Sequence, residues 1–240
     1  MKNILKIIFV FIVSIGGGIF ADQILWPYFI ERPLFYRYRL DQAPVYVTQQ
    51  ITIEENVALQ AAIEKVEKAV IGIKTVSAKG KIVKGSGVIV SADGLIVTFS
   101  DLVPATGKTT LFWEGRMFAF QVLKRDEKEN LVLLKIEETN LPTVGFADTG
   151  KIHLGERMFL LGMVFAAEDI NLTAPQKTVN EGIVKSISGN FLETNIIEKI
   201  GLKGSPLFNI SGELVGLNLI NEQGNVSCFS ISRIKEFIGL

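Results

Sequence analysis

The sequence is poor in the two side chains that most often carry nucleophilic or metal chemistry. Its 240 residues include one cysteine, Cys228, and one histidine, His153. A single cysteine excludes an intramolecular disulfide and a thiolate metal cluster. The alternating run at 226–231 around Cys228 favours a small core residue over a reactive thiol. We therefore expect no metal site and no cofactor.

The chain also lacks an excess of either charge. Its 25 basic and 25 acidic residues give a formal net charge of zero. Nucleic-acid-binding domains depend on a clustered basic excess, so this composition gives no reason to expect a nucleic-acid partner. The hydrophobic content of 48% is sufficient to build one large domain or two small ones.

One long apolar run stands at the N-terminus. Lys2 and Lys6 lie at its start, and residues 4–21 approach the ~20 apolar residues that span a bilayer. A cleaved signal peptide is the alternative, although Ile19 would occupy the −3 position of its cleavage site. The early lysines favour a cytoplasmic N-terminus. We therefore predict a single-pass signal anchor over residues 1–22, with the rest of the chain outside the cytoplasm.

The remainder divides into a connector and a β-rich region. Residues 23–52 contain three prolines and no periodicity, which predicts a juxtamembrane connector. The Thr-Ile-Glu-Glu capping box at 52–55 and apolar residues at helical spacing predict an amphipathic helix near 53–68. From Val70 onward short β-rich runs alternate with turn signals such as Asp93-Gly94, and a short amphipathic helix ends the chain. The pattern predicts an all-β domain in two halves, built as sandwiches or closed barrels.

A glycine-punctuated loop at 200–205 precedes two of these strands. Gly201 and Gly204 permit backbone angles that a Cβ forbids, and Pro206 removes an amide donor as the next strand begins. Such a loop can direct its amides at one point, which is how an oxyanion hole is built. We call residues 200–205 the glycine loop.

This loop resembles the Gly-Asn-Ser-Gly-Gly-Pro-Leu signature of the HtrA-type trypsin-like serine proteases. The resemblance implies a chymotrypsin-like double β-barrel with a cleft between the barrels. It implies a first barrel, with the preceding helix, over 53–150 and a second barrel with the C-terminal helix over 151–240. Further segments match the family in its own order between about 69 and 238, namely residues 85–98, 130–136, 154–162, 178–184 and 212–218.

The positions that carry catalysis in that family are changed in this chain. The histidine position holds Asp101, the aspartate position holds Asn130 and the serine position holds Lys203, while Ser205 replaces the second glycine after it. The triad reaction needs an imidazole base, a carboxylate and a hydroxyl, and loss of the nucleophile or base costs about 10⁶ in rate. The resemblance therefore implies a pseudoprotease, not an enzyme, in which Asp101 and Lys203 form an ion pair across the former active centre.

We expect the cleft to bind a protein or peptide partner of the cell envelope. One alternative is a serine endopeptidase with a displaced nucleophile, for which a Ser205–Lys203 dyad is the candidate. Another is a structural subunit of an envelope complex that docks through the helix at 53–68. HtrA-type proteases commonly carry a PDZ domain after the barrels, and none is expected before Leu240. The predicted binding residues are Gly201, Leu202, Lys203, Gly204 and Ser205.

Overall fold

A computed structural model of the chain describes residues 2–31, 55–166, 174–189 and 191–240. The chain divides into two compact units, Met1–Ile53 and Glu54–Leu240. The predicted connector from residue 32 onward lies outside the described residues, as does most of the capping box at 52–55.

The first unit begins with a continuous helix. Helix α1 spans Lys2–Phe20 and is followed by π-helical turns over Ala21–Glu31. Lys2–Trp26 is long and apolar enough to cross a membrane. A signal sequence has the same length and composition, so the apolar helix is confirmed and its topology stays a prediction. The helical backbone runs beyond residue 22, as far as Glu31.

The second unit begins with helix α2, Glu55–Val66, which continues as a 3₁₀ turn over Glu67–Ala69. Ala62 and Val66 on its inner face are buried in the main hydrophobic core. Lys65 Nζ donates a hydrogen bond of 3.0 Å to Ser211 O. The apolar face of the predicted amphipathic helix is therefore used inside the chain's own core.

Fourteen strands, in two sheets of seven, follow in the described part of this unit. The first seven are β1 (Val70–Val76), β2 (Ile82–Ile89), β3 (Leu95–Phe99), β4 (Lys108–Trp113), β5 (Arg116–Phe118), β6 (Gln121–Asp126) and β7 (Leu131–Lys135). The second seven are β8 (Gly145–Phe146), β9 (Arg157–Val164), β10 (Gln176–Ser188), β11 (Phe191–Ile197), β12 (Pro206–Asn209), β13 (Glu213–Ile220) and β14 (Asn225–Ser230).

The first sheet is an open half-barrel. Its strands are antiparallel neighbours in the order β5-β4-β1-β2-β3-β7-β6. The edge strands β5 and β6 are consecutive in the chain and are separated only by Ala119 and Phe120. The two edges of the sheet are therefore brought back towards each other without pairing.

The second sheet contains a closed barrel of six strands. Strand β12 pairs with both β9 and β13, which closes the circuit β9-β10-β11-β14-β13-β12, and closure leaves the six strands without a free edge. Strand β8 adds to β13 in parallel. The division of the chain predicted from the sequence stays a prediction, and β8, which precedes the predicted boundary at 150, belongs to the second sheet.

The half-barrel and the closed barrel pack closely at β1. A Cβ on Gly72 of β1 would lie 2.8 Å from Pro175 Cγ and 3.3 Å from Met163 Cβ of β9, so only glycine allows this approach. Helix α3, Ile231–Ile238, ends the chain against the core. The two β-rich halves and the short C-terminal helix predicted from the sequence are confirmed.

Candidate functional site

The candidate site forms where the glycine loop of the closed barrel meets strand β2 of the half-barrel. Ser86 N on β2 donates a hydrogen bond of 3.0 Å to Lys203 O. Ser86 Oγ accepts one of 2.9 Å from Met163 N on β9. A Cβ on Gly85 would lie 2.7 Å from Lys203 O. The loop is therefore fixed to the half-barrel through its backbone.

Only one of the two glycines singled out in the sequence is required by the loop geometry. Gly204 has a φ of 77°, and a Cβ there would lie 2.4 Å from Ser86 O. Gly204 N donates to Asn218 O at 2.9 Å. Gly201, in the 3₁₀ turn Ile200–Leu202, has nothing within 4 Å of an added Cβ. The loop therefore needs glycine at 204 but not, on steric grounds, at 201.

Lys203 and Asp101 lie in contact. Asp101 belongs to the 3₁₀ turn Ser100–Leu102 that follows β3, and its Oδ2 accepts a hydrogen bond from Lys203 Nζ. The Lys203 side chain is 21% exposed and that of Asp101 is 50% exposed. Lys203 Nζ also lies 5.4 Å from the ring centroid of Phe99, a cation–π distance. The ion pair expected from the sequence is present.

Asn130 supports the backbone of this turn. It has a φ of 54°, a left-handed conformation that asparagine adopts more readily than most residues. Its Oδ1 accepts hydrogen bonds from Ser100 Oγ at 2.8 Å and from Asp101 N at 3.1 Å. Asn130 thus positions Asp101 through the main chain. The structure thus brings Asp101, Asn130 and Lys203 together, as the resemblance led us to expect.

Ser205 points into the interior. The residue is fully buried, and its Oγ donates to Ser86 Oγ at 3.3 Å. A Cβ on Gly162 would lie 2.2 Å from this oxygen. Lys203 Nζ contacts Asp101, so the described residues do not pair Ser205 with the lysine of the suggested dyad.

Neither the cysteine nor the histidine contributes to the site. Cys228 on β14 is completely buried, and burial raises the pKa of its thiol well above the usual range. This confirms Cys228 as a core residue. His153 is exposed in the turn before β9, where its backbone N donates to Glu156 Oε2 at 3.0 Å. Among the described residues no group of three or more histidine, cysteine, aspartate or glutamate side chains could hold a metal ion.

Sequence reasoning missed a groove beside the glycine loop. It has a volume of about 540 Å³ and lies between the start of β2, the end of β9 and the loop. Its apolar lining includes Val164, Phe165 and Leu202, with Lys84 and Lys199 among the polar residues. The apolar sequence of β9 continues to Phe165, one residue beyond Val164, the last paired residue of the strand. This continuation is the sequence signal that could have indicated the groove.

It also missed a support for the Asp101 turn. Arg125 on β6 donates from Nη1 to Ser100 O at 3.1 Å and from Nη2 to Val103 O. Arg125 lies in a mixed run of charges at 124–129 that has the composition of a solvated turn. Its partners are more than twenty residues away in the chain, so no local pattern could identify them.

A family model described as "Trypsin-like peptidase domain" matches residues 85–217. The chain belongs to this family. A probable periplasmic serine endoprotease, DegP-like, of Halomonas elongata is 27% identical over 105 residues, covering 44% of this chain and 22% of the relative. A probable periplasmic serine protease, do/HhoA-like, of Haemophilus influenzae is 30% identical over 121 residues, covering 46% and 24%. The chain thus spans about a quarter of the length of these relatives.

The trypsin-like fold is confirmed by solved structures. The HtrA-type protease AlgW with tripeptide superposes with a TM-score of 0.66 at 23% identity, covering 75% of this chain and 62% of that one. At this identity the likeness establishes the fold alone. The resemblance to HtrA-type trypsin-like proteases, and the β-barrel architecture it implied, are both confirmed.

Proposed function

We propose that this trypsin-like domain is a pseudoprotease that binds a polypeptide in its cleft without hydrolysing it. The observation that carries the proposal is the contact between Lys203 Nζ and Asp101 Oδ2. These residues stand where the resemblance places the nucleophile and the base. A paired ammonium and carboxylate provide neither a hydroxyl to attack a peptide nor an imidazole to take its proton.

The surroundings of the pair support a binding role. Asn130 accepts two hydrogen bonds with Oδ1 and, as a neutral amide, supplies no charge to stabilise an imidazolium. The glycine loop is nevertheless held in a defined conformation by Gly204 and Ser86. A rigid cleft beside an apolar groove can bind an extended segment through main-chain hydrogen bonds and side-chain pockets.

We further propose that the domain lies outside the cytoplasm on a single-pass anchor. The relatives are described as periplasmic, and Lys2–Trp26 has the length and hydropathy of a membrane span. Lys2 and Lys6 favour a cytoplasmic N-terminus. A partner in the cell envelope follows from this location.

The competing function is serine endopeptidase activity, which the names of the relatives favour. Within this chain Ser205 is the hydroxyl of the glycine loop, so it is the residue to test. Its burial and its hydrogen bond to Ser86 weigh against attack on a substrate, because a nucleophile must reach the scissile carbonyl. A structural subunit docking through α2 is favoured less, since the inner face of that helix packs in the core.

The deciding experiment treats the full chain, in detergent or nanodiscs, with a fluorophosphonate probe and with unfolded casein. We expect neither labelling nor cleavage from protein shown to be folded by circular dichroism. The triple variant Asp101→His/Asn130→Asp/Lys203→Ser, which restores the family's residues, shows whether the probe can reach and label a serine at position 203. Labelling of the unmodified chain that disappears in Ser205→Ala would overturn the pseudoprotease proposal.

A further inference from the structure

The lysines of this electrically neutral chain are unevenly distributed. Residues 70–92 and 102–113, which contain β1, β2 and β4, have five lysines and no aspartate or glutamate. Lys74 is buried, and Lys84 is half-buried and donates to Ala166 O at 2.7 Å. The other three, Lys79, Lys81 and Lys108, are exposed.

These three lysines lie together at one end of the half-barrel. The β1–β2 turn is closed by a hydrogen bond of 2.9 Å from Ser77 N to Lys81 O. Val76 is opposite Ile82 on one side and opposite Lys108 on the other, and both apolar side chains are exposed. We call Val76, Lys79, Lys81, Ile82 and Lys108 the basic hairpin surface.

Nearby acidic groups are already engaged. Thr75, next to this surface, donates to Leu102 O at 2.7 Å, which brings the Asp101 turn close, but Asp101 is paired with Lys203. Glu114 lies beyond the opposite end of β4 from Lys108, and it contacts Lys177 Nζ at 3.3 Å. The basic hairpin surface therefore keeps its positive potential, which attracts anionic groups within about a Debye length, ~10 Å at 0.1 M salt.

Strand β2 connects this surface to the candidate site. Ser86, in the middle of β2, donates a hydrogen bond to the glycine loop, and Lys84, nearer the start of the strand, lines the apolar groove. Lys81 lies just before β2, in the hairpin turn, and is about 16 Å from Ser86 at ~3.3 Å per residue of extended chain. About five residues of a bound extended segment would cover this distance.

We propose that the polypeptide bound by the cleft is acidic on the side that faces this hairpin. It places an apolar side chain in the groove against Phe165 and Leu202, and its aspartate or glutamate residues lie against Lys79, Lys81 and Lys108. This inference rests on the proposed binding function and names the partner's chemistry. A polypeptide is favoured over an anionic lipid surface because the turn that carries Lys79 and Lys81 leads directly into the start of β2, where Lys84 lines the apolar groove.

The test uses the full chain in nanodiscs of zwitterionic phosphatidylcholine and two fluorescent peptide pools. Both pools carry random residues followed by a fixed run, of glutamate in one pool and glutamine in the other. We expect the glutamate pool to bind about tenfold more tightly at low salt, since three exposed pairs each contribute modestly. The preference should fade as salt rises.

Matched variants identify the surface. Lys79→Gln/Lys81→Gln/Lys108→Gln should remove the preference for glutamate. The control Lys128→Gln/Lys151→Gln/Lys185→Gln changes the net charge equally at exposed positions elsewhere and should retain it. Circular dichroism and thermal unfolding verify that both variants are folded, which is expected because all six side chains are exposed.

The possible outcomes distinguish a failure of this inference from a failure of the proposed binding function on which it rests. Equal binding of the two pools would overturn the acidic-partner inference and leave the binding function standing. No binding of either pool would overturn both. A fluorophore on Ala78→Cys tests a lipid surface, because Cys228 is buried and does not compete for the label. Lysine-dependent quenching of this fluorophore by spin-labelled lipid in phosphatidylglycerol nanodiscs would also overturn the inference.

Discussion

The contribution of the Lys203–Asp101 ion pair to stability can be measured by a double-mutant cycle of Lys203→Met, Asp101→Asn and the double variant. Methionine keeps most of the length of lysine, and asparagine keeps the shape of aspartate. Each single variant therefore removes the charge while leaving the packing nearly intact. The coupling energy of the cycle then reports the pair itself.

The exposures of the two side chains set the expected magnitude. Asp101 is 50% exposed and Lys203 is 21% exposed, so the pair is partly solvated and should contribute about 0.5–1 kcal/mol. Lys203 Nζ also lies 5.4 Å from the Phe99 ring centroid, which adds about 0.5–1 kcal/mol. We expect Lys203→Met to cost about 1–2 kcal/mol and Asp101→Asn about 0.5–1 kcal/mol.

Urea unfolding of the fragment Glu54–Leu240, which contains both hydrophobic clusters, provides the assay. Trp113 is the one tryptophan of this fragment, and its Nε1 donates to Lys68 O at 2.7 Å, so its fluorescence reports the packing of the segment after α2. The coupling should shrink in high salt. A coupling of zero at low salt would refute a stabilising ion pair, and one above about 2 kcal/mol would refute its description as partly solvated.

Three further predictions concern the loop, the thiol and the acid response. Gly204→Ala should lower the free energy of unfolding by about 2–4 kcal/mol, because residue 204 has a left-handed φ and an added Cβ would meet a backbone carbonyl. Gly201→Ala should change the free energy of unfolding little, because an added Cβ there meets open space. Equal urea midpoints for the two variants would refute this. Cys228 should not react with Ellman's reagent in the native protein and should react fully in urea, since burial raises its pKa; rapid native reaction would contradict it. The Glu129 backbone N–H holds the pKa of Asp126 below its usual range. The ionised Asp126 carboxylate therefore stabilises the folded protein above the ordinary carboxylate pKa, and this contribution is lost as pH falls through the lowered pKa. Asp126→Ala should therefore lose less thermal stability than the unmodified protein between about pH 5 and pH 3, and a parallel loss in both would exclude this contribution.

What the sequence could predict depended on the range of the interactions. Helix α2 and the β-rich runs could be predicted, because burial of one face of a helix or strand imposes an apolar periodicity that is visible within a few residues of sequence. The contact of Asp101 with Lys203 spans 102 positions and was predictable only because the resemblance aligned both with one site. The support from Arg125 to Ser100 O has no such alignment and no local signature.

The open edge of the half-barrel shows a second kind of limit. Residues 117–123 have the sequence of one β-rich run, yet the structure divides them between β5 and β6 at Ala119 and Phe120. Whether such edges pair depends on the curvature of the whole sheet, which a period of two does not encode. The groove beside the loop is of the same kind, because its lining comes from β2, β9 and the glycine loop together.

A retained glycine loop is not in itself a sign of retained catalysis, because Ser86 gives the loop a structural role. Its N donates to Lys203 O, its O accepts from Thr98 Oγ1 at 2.7 Å, and its Oγ accepts from Met163 N. A single residue of the half-barrel thus holds the loop and β9 of the closed barrel together. Removing any of these buried hydrogen bonds leaves a polar group unsatisfied, which costs about 1–3 kcal/mol. The conformation of the glycine loop is therefore maintained by the hydrogen bonds between the half-barrel and the closed barrel, whichever side chain stands at position 203.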